Sequence, residues 1–268
     1  MKAQNKTIVV TGGGSGMGRE LVLNLLAKGA KVVAIDINEK TLHETVVLAG
    51  EKGGALSTFV TDITDKQAVE SLLEKVIGKL GHVDGIINNA GIIQPFVKLA
   101  DLNYEKIDQV LKVNFYGTLY MIKTFLPHLL TRPEAHIVNT SSMGGFLPIP
   151  GQTIYGASKA AVKLLTEGLH SELSGTNVRV TVVFPGGVRT NIMSNSGLPD
   201  RMGDPSAKGA QNILTAEKAA AMIIDGMEQN RYRVIAGKDA RIMDYLYRLN
   251  PAYAAGLIAK KMSGLLSK

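Results

Sequence analysis

Residues 137–162 read IVNTSSMGGFLPIPGQTIYGASKAAV and hold the most informative pattern of the chain. An apolar pair leads into Asn-Thr-Ser-Ser, which is typical of a buried strand that ends in hydroxyl side chains. A loop rich in glycine and proline follows, and a run of small residues then predicts a helix. This order places Ser142 at the end of the strand, with Tyr155 and Lys159 on the helix.

Tyr155 and Lys159 are four residues apart, so they lie one above the other on one helix face. A phenol of ordinary pKa about 10 beside a fixed ammonium favours the tyrosinate, which lowers its pKa. Such a tyrosine can give or take a proton near neutral pH. Tyrosine and lysine at this spacing are also an ordinary amphipathic pair, so the rest of the chain decides between the two interpretations.

Length and composition favour one large α/β domain. The chain has 268 residues, 45% of them hydrophobic, and no linker divides it. It contains no cysteine, which excludes disulfides and thiolate metal sites, and we predict no metal. The first residues lack a signal-peptide pattern, and no stretch is long enough to span a membrane. We therefore expect a cytoplasmic protein.

The net charge of +7 raises the question of nucleic-acid binding. From Arg201 onward, eleven Lys and Arg residues face six Asp and Glu residues. They form no run interleaved with aromatic residues, which favours a solvated basic face over a nucleic-acid partner.

Residues 6–18 predict a phosphate-binding turn. KTIVVT is a short β-branched strand, GGGSGMG follows it, and a helix begins directly afterwards. This order presents backbone N–H groups and a helix N-terminus to a phosphate. These glycines do not match the dinucleotide fingerprint G-x-G-x-x-G. Their spacing is instead Gly12-x-x-x-Gly16-x-Gly18.

The second strand, over 30–36, ends on Asp36, eighteen residues beyond Gly18. A carboxylate there can accept hydrogen bonds from the adenosine ribose and would repel a 2′-phosphate, which favours NAD over NADP. Alternatively Asp36 is a turn or cap residue, although Asn38 could be the helix cap instead. Asp62 closes the third strand, where it meets the adenine amino group or caps a loop.

Seven strands alternating with helices predict a parallel sheet wrapped on both faces. Ligands bind such a sheet outside the carboxyl ends of its strands, where the motifs above all fall. Asn88 and Asn89 end the fourth strand and can tie neighbouring strand ends together. Asn114 lies in the middle of a helix over 103–126, which requires a reason: a hydrogen-bonded kink, a catalytic role, or both. The long, weakly periodic segment over 190–214 is typical of a lid over a substrate or of a disordered loop.

With these motifs the sequence resembles the classical short-chain dehydrogenase/reductase family over about residues 6–236, nearly the whole chain. The resemblance implies a single Rossmann-type doubly wound α/β domain over 1–268, with a C-terminal helical extension over 238–268. It implies a catalytic tetrad of Asn114, Ser142, Tyr155 and Lys159. Tyr155 would exchange a proton with the substrate oxygen, oriented by Ser142, while hydride moves between substrate and nicotinamide. Lys159 would bind the nicotinamide ribose, and Asn114 would hold a water of the proton relay.

The resemblance also implies an NAD-preferring enzyme that assembles as a homotetramer or dimer. Its cofactor-binding positions are Gly12, Gly14, Ser15, Gly16, Met17, Gly18, Asp36, Ile37, Asp62, Ile63, Asn89, Ala90, Gly91, Tyr155, Lys159, Pro185, Gly186, Val188 and Thr190. Its substrate-binding positions are Ser142, Met143, Gln152 and Tyr155.

The substrate is predicted only as a class. The loop residues expected around it are Gln94, Pro95, Phe96, Met143, Gly145, Phe146, Leu147, Gln152, Met193 and Leu198. None of them is Lys or Arg, which favours an apolar secondary alcohol or ketone over a small carboxylate or phosphate. The alternatives are an NADPH-dependent 3-oxoacyl-thioester reductase and a non-catalytic dinucleotide-binding sensor.

Beyond residue 238 the resemblance explains little. Ile242, Tyr245, Leu246 and Leu249 form a helical stripe, and a second stripe after Pro251 comprises Tyr253, Leu257, Ile258, Met262 and Leu265. Three roles compete for this tail: packing on a neighbouring subunit, a hydrophobic lid over the pocket, and an anchor on a membrane surface.

Overall fold

Seven parallel strands form one sheet in the order β3-β2-β1-β4-β5-β6-β9 in the computed structural model, which describes residues 1–198 and 213–262. The strands are β1 (Thr7–Thr11), β2 (Lys31–Asp36), β3 (Leu56–Val60), β4 (Gly85–Asn88), β5 (Ala135–Thr140), β6 (Val178–Pro185) and β9 (Arg233–Ala236). Two further short strands, β7 (Val188–Arg189) and β8 (Leu214–Thr215), pair with each other. The predicted parallel sheet is confirmed, with strand ends shifted by one or two residues.

Helices connect the strands and cover both faces of the sheet. They are α1 (Gly16–Ala27), α2 (Glu39–Ala49), α3 (Lys66–Leu80), α4 (Tyr104–Leu111), α5 (Thr118–Leu130), α6 (Thr153–Glu172), α7 (Ile192–Asn195), α8 (Ala216–Glu228), α9 (Lys238–Leu249) and α10 (Pro251–Met262). None of the helices within the described ranges has the length and apolar character to cross a bilayer.

The two faces carry separate cores, as the alternation of side chains along a strand requires. Ile8 and Val10 pack into one core, with helices α1 and α8. Val9 points the other way, into the core built by α3, α5 and the end of α6. This arrangement confirms the doubly wound architecture.

The strand order reverses between β1 and β4, since β1 pairs with β2 on one side and with β4 on the other. At such a switch point the connections leave the sheet in opposite directions and open a crevice above the carboxyl ends of the strands. The residues after Thr11 and Asn88 lie at this crevice, and those after Thr140 follow on the next strand.

The helix predicted over 103–126 differs from the structure in two ways. A π-helical turn, Lys112–Gly117, separates α4 from α5, and α5 continues through Pro127 to Leu130. A proline removes one backbone hydrogen bond from a helix interior, yet α5 continues past Pro127. The apolar face of α5, which includes Phe125 and Leu129 on either side of this proline, is fully buried and keeps the helix in place.

The tail helices α9 and α10 pack against each other and against the segment that follows Ser142. Met243, Ala254 and Ile258 form a small apolar cluster with Leu147, which lies in that segment. Three residues of the predicted α9 stripe lie at the surface of the chain, where Ile242 is 57%, Tyr245 64% and Leu249 84% exposed. The ion pairs of Asp244 with Arg233 and Arg248 hold the opposite face inward.

Candidate active site

The end of β5 and the start of α6 bring Ser142 and Tyr155 together. Ser142 Oγ accepts a hydrogen bond from the Gly144 backbone N–H at 3.0 Å, which holds the side chain at the entry of a 3₁₀ turn. A Cβ placed on Gly144 would lie 3.4 Å from the Tyr155 ring and 3.5 Å from Ser142 Oγ. The two predicted catalytic hydroxyls therefore face the same small space.

The electrostatic environment of Tyr155 differs from the prediction. Burial raises the pKa of the Tyr155 phenol, and the hydrogen bond with Ser142 acts in the opposite direction. The expected lowering of this pKa by Lys159 is not found in the chain itself. Desolvation has the largest effect on the pKa of Tyr155, and Ser142 is the side chain that favours the tyrosinate.

The Lys159 ammonium is directed elsewhere. Lys159 is 4% exposed, and its Nζ donates a hydrogen bond to the Thr140 carbonyl at 2.9 Å. Burial lowers the pKa of Lys159 to about 8. A Cβ on Gly91 would lie 3.1 Å from Nζ, so the ammonium also lies against the turn after β4.

Asn114 occupies the π-helical turn and is fully buried. Its Oδ1 accepts from the Ile92 N–H at 2.9 Å, and its Nδ2 donates to the Ile92 carbonyl and to Ser158 Oγ at 3.0 Å each. Ser158 Oγ in turn donates to the Tyr155 carbonyl at 2.7 Å. The hydrogen-bonded kink predicted for this asparagine is confirmed, and it connects α6 to the turn after β4.

Two glutamines predicted near the substrate are bonded to each other. Gln94 is fully buried, and its Oε1 accepts from the N–H groups of Ile154 and Tyr155 at the start of α6. Gln152 is 3% exposed and donates its amide to the Gln94 carbonyl at 2.7 Å. The assignment of Gln94 to the substrate site is therefore wrong, because its side-chain amide caps the helix that carries Tyr155.

The glycines of the first turn are explained by backbone contacts. Gly12 has φ +71° and Gly16 φ +50°, which disfavour a side chain. A Cβ on Gly18 would collide with the Gly12 carbonyl. Gly12, Gly16 and Gly18 thus fit the spacing chosen from the sequence, because a side chain at any of them would be strained or would collide.

Arg19 is a residue of this turn that the sequence analysis missed. Its guanidinium donates to the Gly14 carbonyl, to Thr45 Oγ1 at 3.1 Å and to Glu44 Oε2 at 2.7 Å. Its charge is therefore used within the protein. An arginine directly after a glycine turn was the signal available in the sequence.

Asp36 makes the turn contacts that the sequence offered as the alternative to a ribose-binding role. Its Oδ2 accepts from the Gly14 N–H at 3.0 Å and its Oδ1 from the Asn38 N–H at 3.1 Å. Asn38 is the cap of α2, accepting from the Thr41 N–H. The carboxylate therefore holds the end of β2 beside the glycine turn, next to Ile37, which is 67% exposed.

The third and fourth strand ends are also tied locally. Asp62 Oδ1 accepts from the Thr64 N–H and hydroxyl at 2.8 Å each, which is the loop-capping alternative. Ile63 is 8% exposed and packs in the core. Thr11 Oγ1, at the end of β1, accepts from the N–H groups of Asn89 and Ala90.

The predicted tie between strand ends is confirmed at two points. Asn88 Nδ2 donates to Asn139 Oδ1 at 2.8 Å, linking β4 to β5. Asn89 Nδ2 donates to the Thr11 carbonyl at 3.3 Å, linking β4 to β1.

The turn after β6 closes the remaining side. Gly186 donates its N–H to the Ala236 carbonyl at 2.9 Å, and a Cβ on Gly16 would lie 3.1 Å from Thr190 Cβ. Asn195 Nδ2 donates to Ser15 Oγ at 2.8 Å, so α7 lies over the glycine turn. Val188 is partly buried in the short β7–β8 pair, and Met17 packs against the first core.

The remaining pocket candidates divide by exposure. Leu147 is fully buried and packs in the tail cluster. Met193 is 5% exposed and Gly145 is buried. Pro95, Phe96, Met143, Phe146 and Leu198 keep part of their surface accessible. Of the predicted lid, residues 199–212 lie outside the described ranges.

The geometry can be compared with known proteins. The family model described as short chain dehydrogenase matches residues 6–200. The chain belongs to the short-chain dehydrogenase family. SadH of Mycobacterium tuberculosis, named as an oxidoreductase, is 33% identical over 264 residues, 96% of this chain and 95% of that protein.

Two further members of the family give context. The 1-deoxy-11-beta-hydroxypentalenate dehydrogenase of Streptomyces exfoliatus is 32% identical over 90% of this chain and 86% of its own. A short-chain dehydrogenase/reductase from Burkholderia phymatum, solved in complex with NAD, superposes with a TM-score of 0.81 at 27% identity, covering 93% of this chain and 96% of that one. The chain is therefore an oxidoreductase that uses a nicotinamide dinucleotide and acts on alcohol or carbonyl groups.

Proposed function

We propose that this short-chain dehydrogenase transfers hydride between NAD(H) and an apolar secondary alcohol or ketone, with Tyr155 as general acid and base. The observation that carries the proposal is the shared space between Tyr155 and Ser142 at the strand ends, beside a glycine turn closed by Asp36. Asn114 and Lys159 complete the catalytic set.

The residues fit a bound dinucleotide. Gly12, Gly18 and Gly91 lie where a Cβ would meet backbone, Lys159 or Asn114, so the crevice floor is bare backbone where a flat ligand can approach. The bound cofactor would accept or supply the hydride at its nicotinamide ring. The phosphates would be held by Gly12, Gly14, Ser15, Gly16, Met17 and Gly18. The adenosine ribose would be held by Asp36 and Ile37, and the adenine by Asp62 and Ile63. The nicotinamide half would be held by Asn89, Ala90, Gly91, Pro185, Gly186, Val188 and Thr190.

The proton chemistry belongs to this chain. In alcohol oxidation the Tyr155 phenolate takes the proton from the substrate hydroxyl, and in carbonyl reduction the phenol returns it. Ser142 donates a hydrogen bond to the same substrate oxygen and favours the phenolate of Tyr155. Lys159, beside Gly91, binds the nicotinamide ribose and is the next proton carrier, because its lowered pKa of about 8 lets it exchange a proton near neutral pH.

Asp36 supports NAD as the cofactor. A 2′-phosphate at the end of β2 would meet this carboxylate, and the one arginine packed on the turn from α1, Arg19, is already bonded to Gly14 and Glu44. The Burkholderia phymatum relative was solved with NAD. The preference for NAD over NADP rests on the Asp36 carboxylate.

The apolar substrate is supported by the partly exposed side chains near Ser142. Met143 and Phe146 border the tail cluster, in which Leu257 and Met262 of α10 are also partly buried. The described part of the tail, residues 238–262, would thus supply an apolar wall on one side of the substrate.

The test combines binding and turnover. Fluorescence titration with NADH and NADPH is followed by a panel of secondary alcohols and ketones, run with the wild type, Tyr155→Phe and Asp36→Asn. We expect tighter NADH binding, and a loss of turnover by about 10²- to 10⁴-fold in Tyr155→Phe with NADH binding retained. Asp36→Asn removes the charge and keeps a hydrogen-bond acceptor, so it should raise the NADPH-to-NADH ratio of kcat/KM.

Other outcomes would favour the alternatives. Preference for NADPH with turnover of 3-oxoacyl thioesters would indicate the acyl reductase. Tight NADH binding without turnover across the panel would indicate a sensor. An unchanged cofactor ratio in Asp36→Asn would refute the ribose assignment.

We also propose a cytoplasmic homo-oligomer, a tetramer or dimer. The exposed apolar residues Ile242, Tyr245 and Leu249 of the tail, together with Leu164 of α6 at 68% exposure, are surfaces that a second subunit would cover. Light scattering at several protein concentrations measures the assembly directly.

A further inference from the structure

Asp239, in the first turn of α9, is bonded to the turn that follows β6. Its Oδ2 accepts a hydrogen bond from the Gly187 N–H at 2.7 Å. One residue earlier, Gly186 donates its N–H to the Ala236 carbonyl at 2.9 Å. The Pro185–Gly187 turn is therefore held by the edge strand and by the tail helix together.

Glycine backbone surrounds the Asp239 carboxylate on two sides. A Cβ on Gly186 would collide with both carboxylate oxygens, and a Cβ on Gly237 would collide with one of them. Gly237 also has φ +120°, which side chains rarely adopt. The carboxylate can occupy this place because both neighbours are glycines.

The same helix reaches the opposite wall of the site. Met243, one turn beyond Asp239, packs with Leu147, in the segment that begins at Ser142. Helix α9 therefore contacts both the turn proposed for the nicotinamide and the segment proposed for the substrate. A change at its first turn can reach the cofactor without direct contact.

We infer that Asp239 is a positioning residue, which sets the Pro185–Gly187 turn against the nicotinamide half of the cofactor by holding the Gly187 N–H. The inference rests on the proposed cofactor role of that turn. Asp239 acts through Gly187 and touches neither cofactor nor substrate. Since the carboxylate is solvent-exposed, its effect is that of a single hydrogen bond.

The test compares NADH with ADP-ribose, which has the same adenosine diphosphate-ribose part and no nicotinamide. Calorimetric titrations use the wild type, Asp239→Ala, Asp239→Asn and, as a matched control, Arg241→Ala, an exposed neighbour on α9. Asp239→Ala should weaken NADH binding about tenfold, equivalent to about 1.4 kcal/mol, and change ADP-ribose binding less than about twofold. Asp239→Asn keeps an acceptor oxygen and should bind NADH nearly as the wild type does, as should Arg241→Ala.

A second variant checks the geometry from the other side. Gly186→Ala crowds the carboxylate and should reproduce the NADH-selective loss, and adding Asp239→Ala should cause little further loss. The inference is overturned if both ligands weaken equally in Asp239→Ala, if neither changes, or if Asp239→Asn behaves like Asp239→Ala. If the wild type binds neither ligand, the proposed cofactor site fails together with the inference, whereas wild-type binding with no selective effect overturns the inference alone.

Discussion

The Lys159 ammonium donates its hydrogen bond to the Thr140 carbonyl, at the last residue of β5. This contact holds a buried cation across the end of the strand that leads to Ser142. It directs the ammonium toward Gly91 and the cofactor side of the crevice. Lys159 is therefore fixed by the sheet, and its burial has a measurable consequence for stability.

The first prediction concerns Lys159→Met. Between pH 8 and 10.5 the unfolded chain still binds the lysine proton while the folded chain has released it, because burial lowers the folded pKa to about 8. Stability linked to this group therefore rises with pH across that window, by roughly 3 kcal/mol for the full shift. In urea unfolding at several pH values, the free energy of unfolding of the wild type should rise relative to that of Lys159→Met between pH 8 and 10.5. Parallel stability curves would contradict the lowered pKa.

The second prediction concerns Ser142→Ala. Removing the Ser142 hydrogen bond leaves burial unopposed, so the pKa of Tyr155 rises further. The pH at which alcohol oxidation reaches half its maximal rate should move upward, and the rate should fall about 10²-fold. Ser141→Ala is the matched control, because Ser141 Oγ bonds to the Lys159 carbonyl and not to Tyr155. A profile that shifts equally in both variants would contradict the assignment.

The third prediction concerns the π-helical turn. Asn114→Ala leaves the partly buried Ile92 N–H and carbonyl without this partner and should lower the free energy of unfolding by about 2–4 kcal/mol. Turnover should fall as well, because the link to Ser158 is lost. Asn103→Ala removes only the cap of α4 and should cost about 1 kcal/mol with turnover unchanged. Equal effects of both variants on turnover would refute a specific role for Asn114.

The fourth prediction compares two glycines. Gly91→Ala places a Cβ 3.1 Å from Lys159 Nζ and 3.2 Å from Asn114 Oδ1, so it should weaken NADH binding and abolish most turnover. Gly78→Ala, inside α3 where a Cβ meets nothing within 4 Å, should raise the free energy of unfolding by about 0.5–1 kcal/mol. Thermal unfolding and NADH titration of both variants check the contrast. Full activity in Gly91→Ala would show that the crevice floor tolerates a side chain.

The sheet and the main site residues could be predicted from sequence because their signals are local. Glycine spacing after β1, a carboxylate at the end of β2 and the Tyr155–Lys159 pair each follow from one stretch of chain. The partners of these residues come from distant stretches, so no local pattern shows them. Gln94 caps α6 from sixty residues away. Ser158 Oγ accepts a hydrogen bond from Asn114, which lies 44 residues earlier in the chain.

The tail shows the opposite limit. Its apolar periodicity predicted a helix correctly, but not which face turns inward. The inward face of α9 carries Asp244, which is buried and forms ion pairs with Arg233 and Arg248. The prediction of a lowered pKa for Tyr155 is wrong for a similar reason. The burial that raises this pKa depends on the completed fold.

The pairing of β1 with β4 also has a kinetic consequence. Ile8 pairs with Gly85 across two intervening strand-and-helix units, and such non-local pairing slows folding. The crevice opens at that seam, so it is complete only when this pairing has formed. Binding of NADH to refolding protein should therefore lag behind helix formation, and stopped-flow fluorescence would record cofactor binding as the last step of folding.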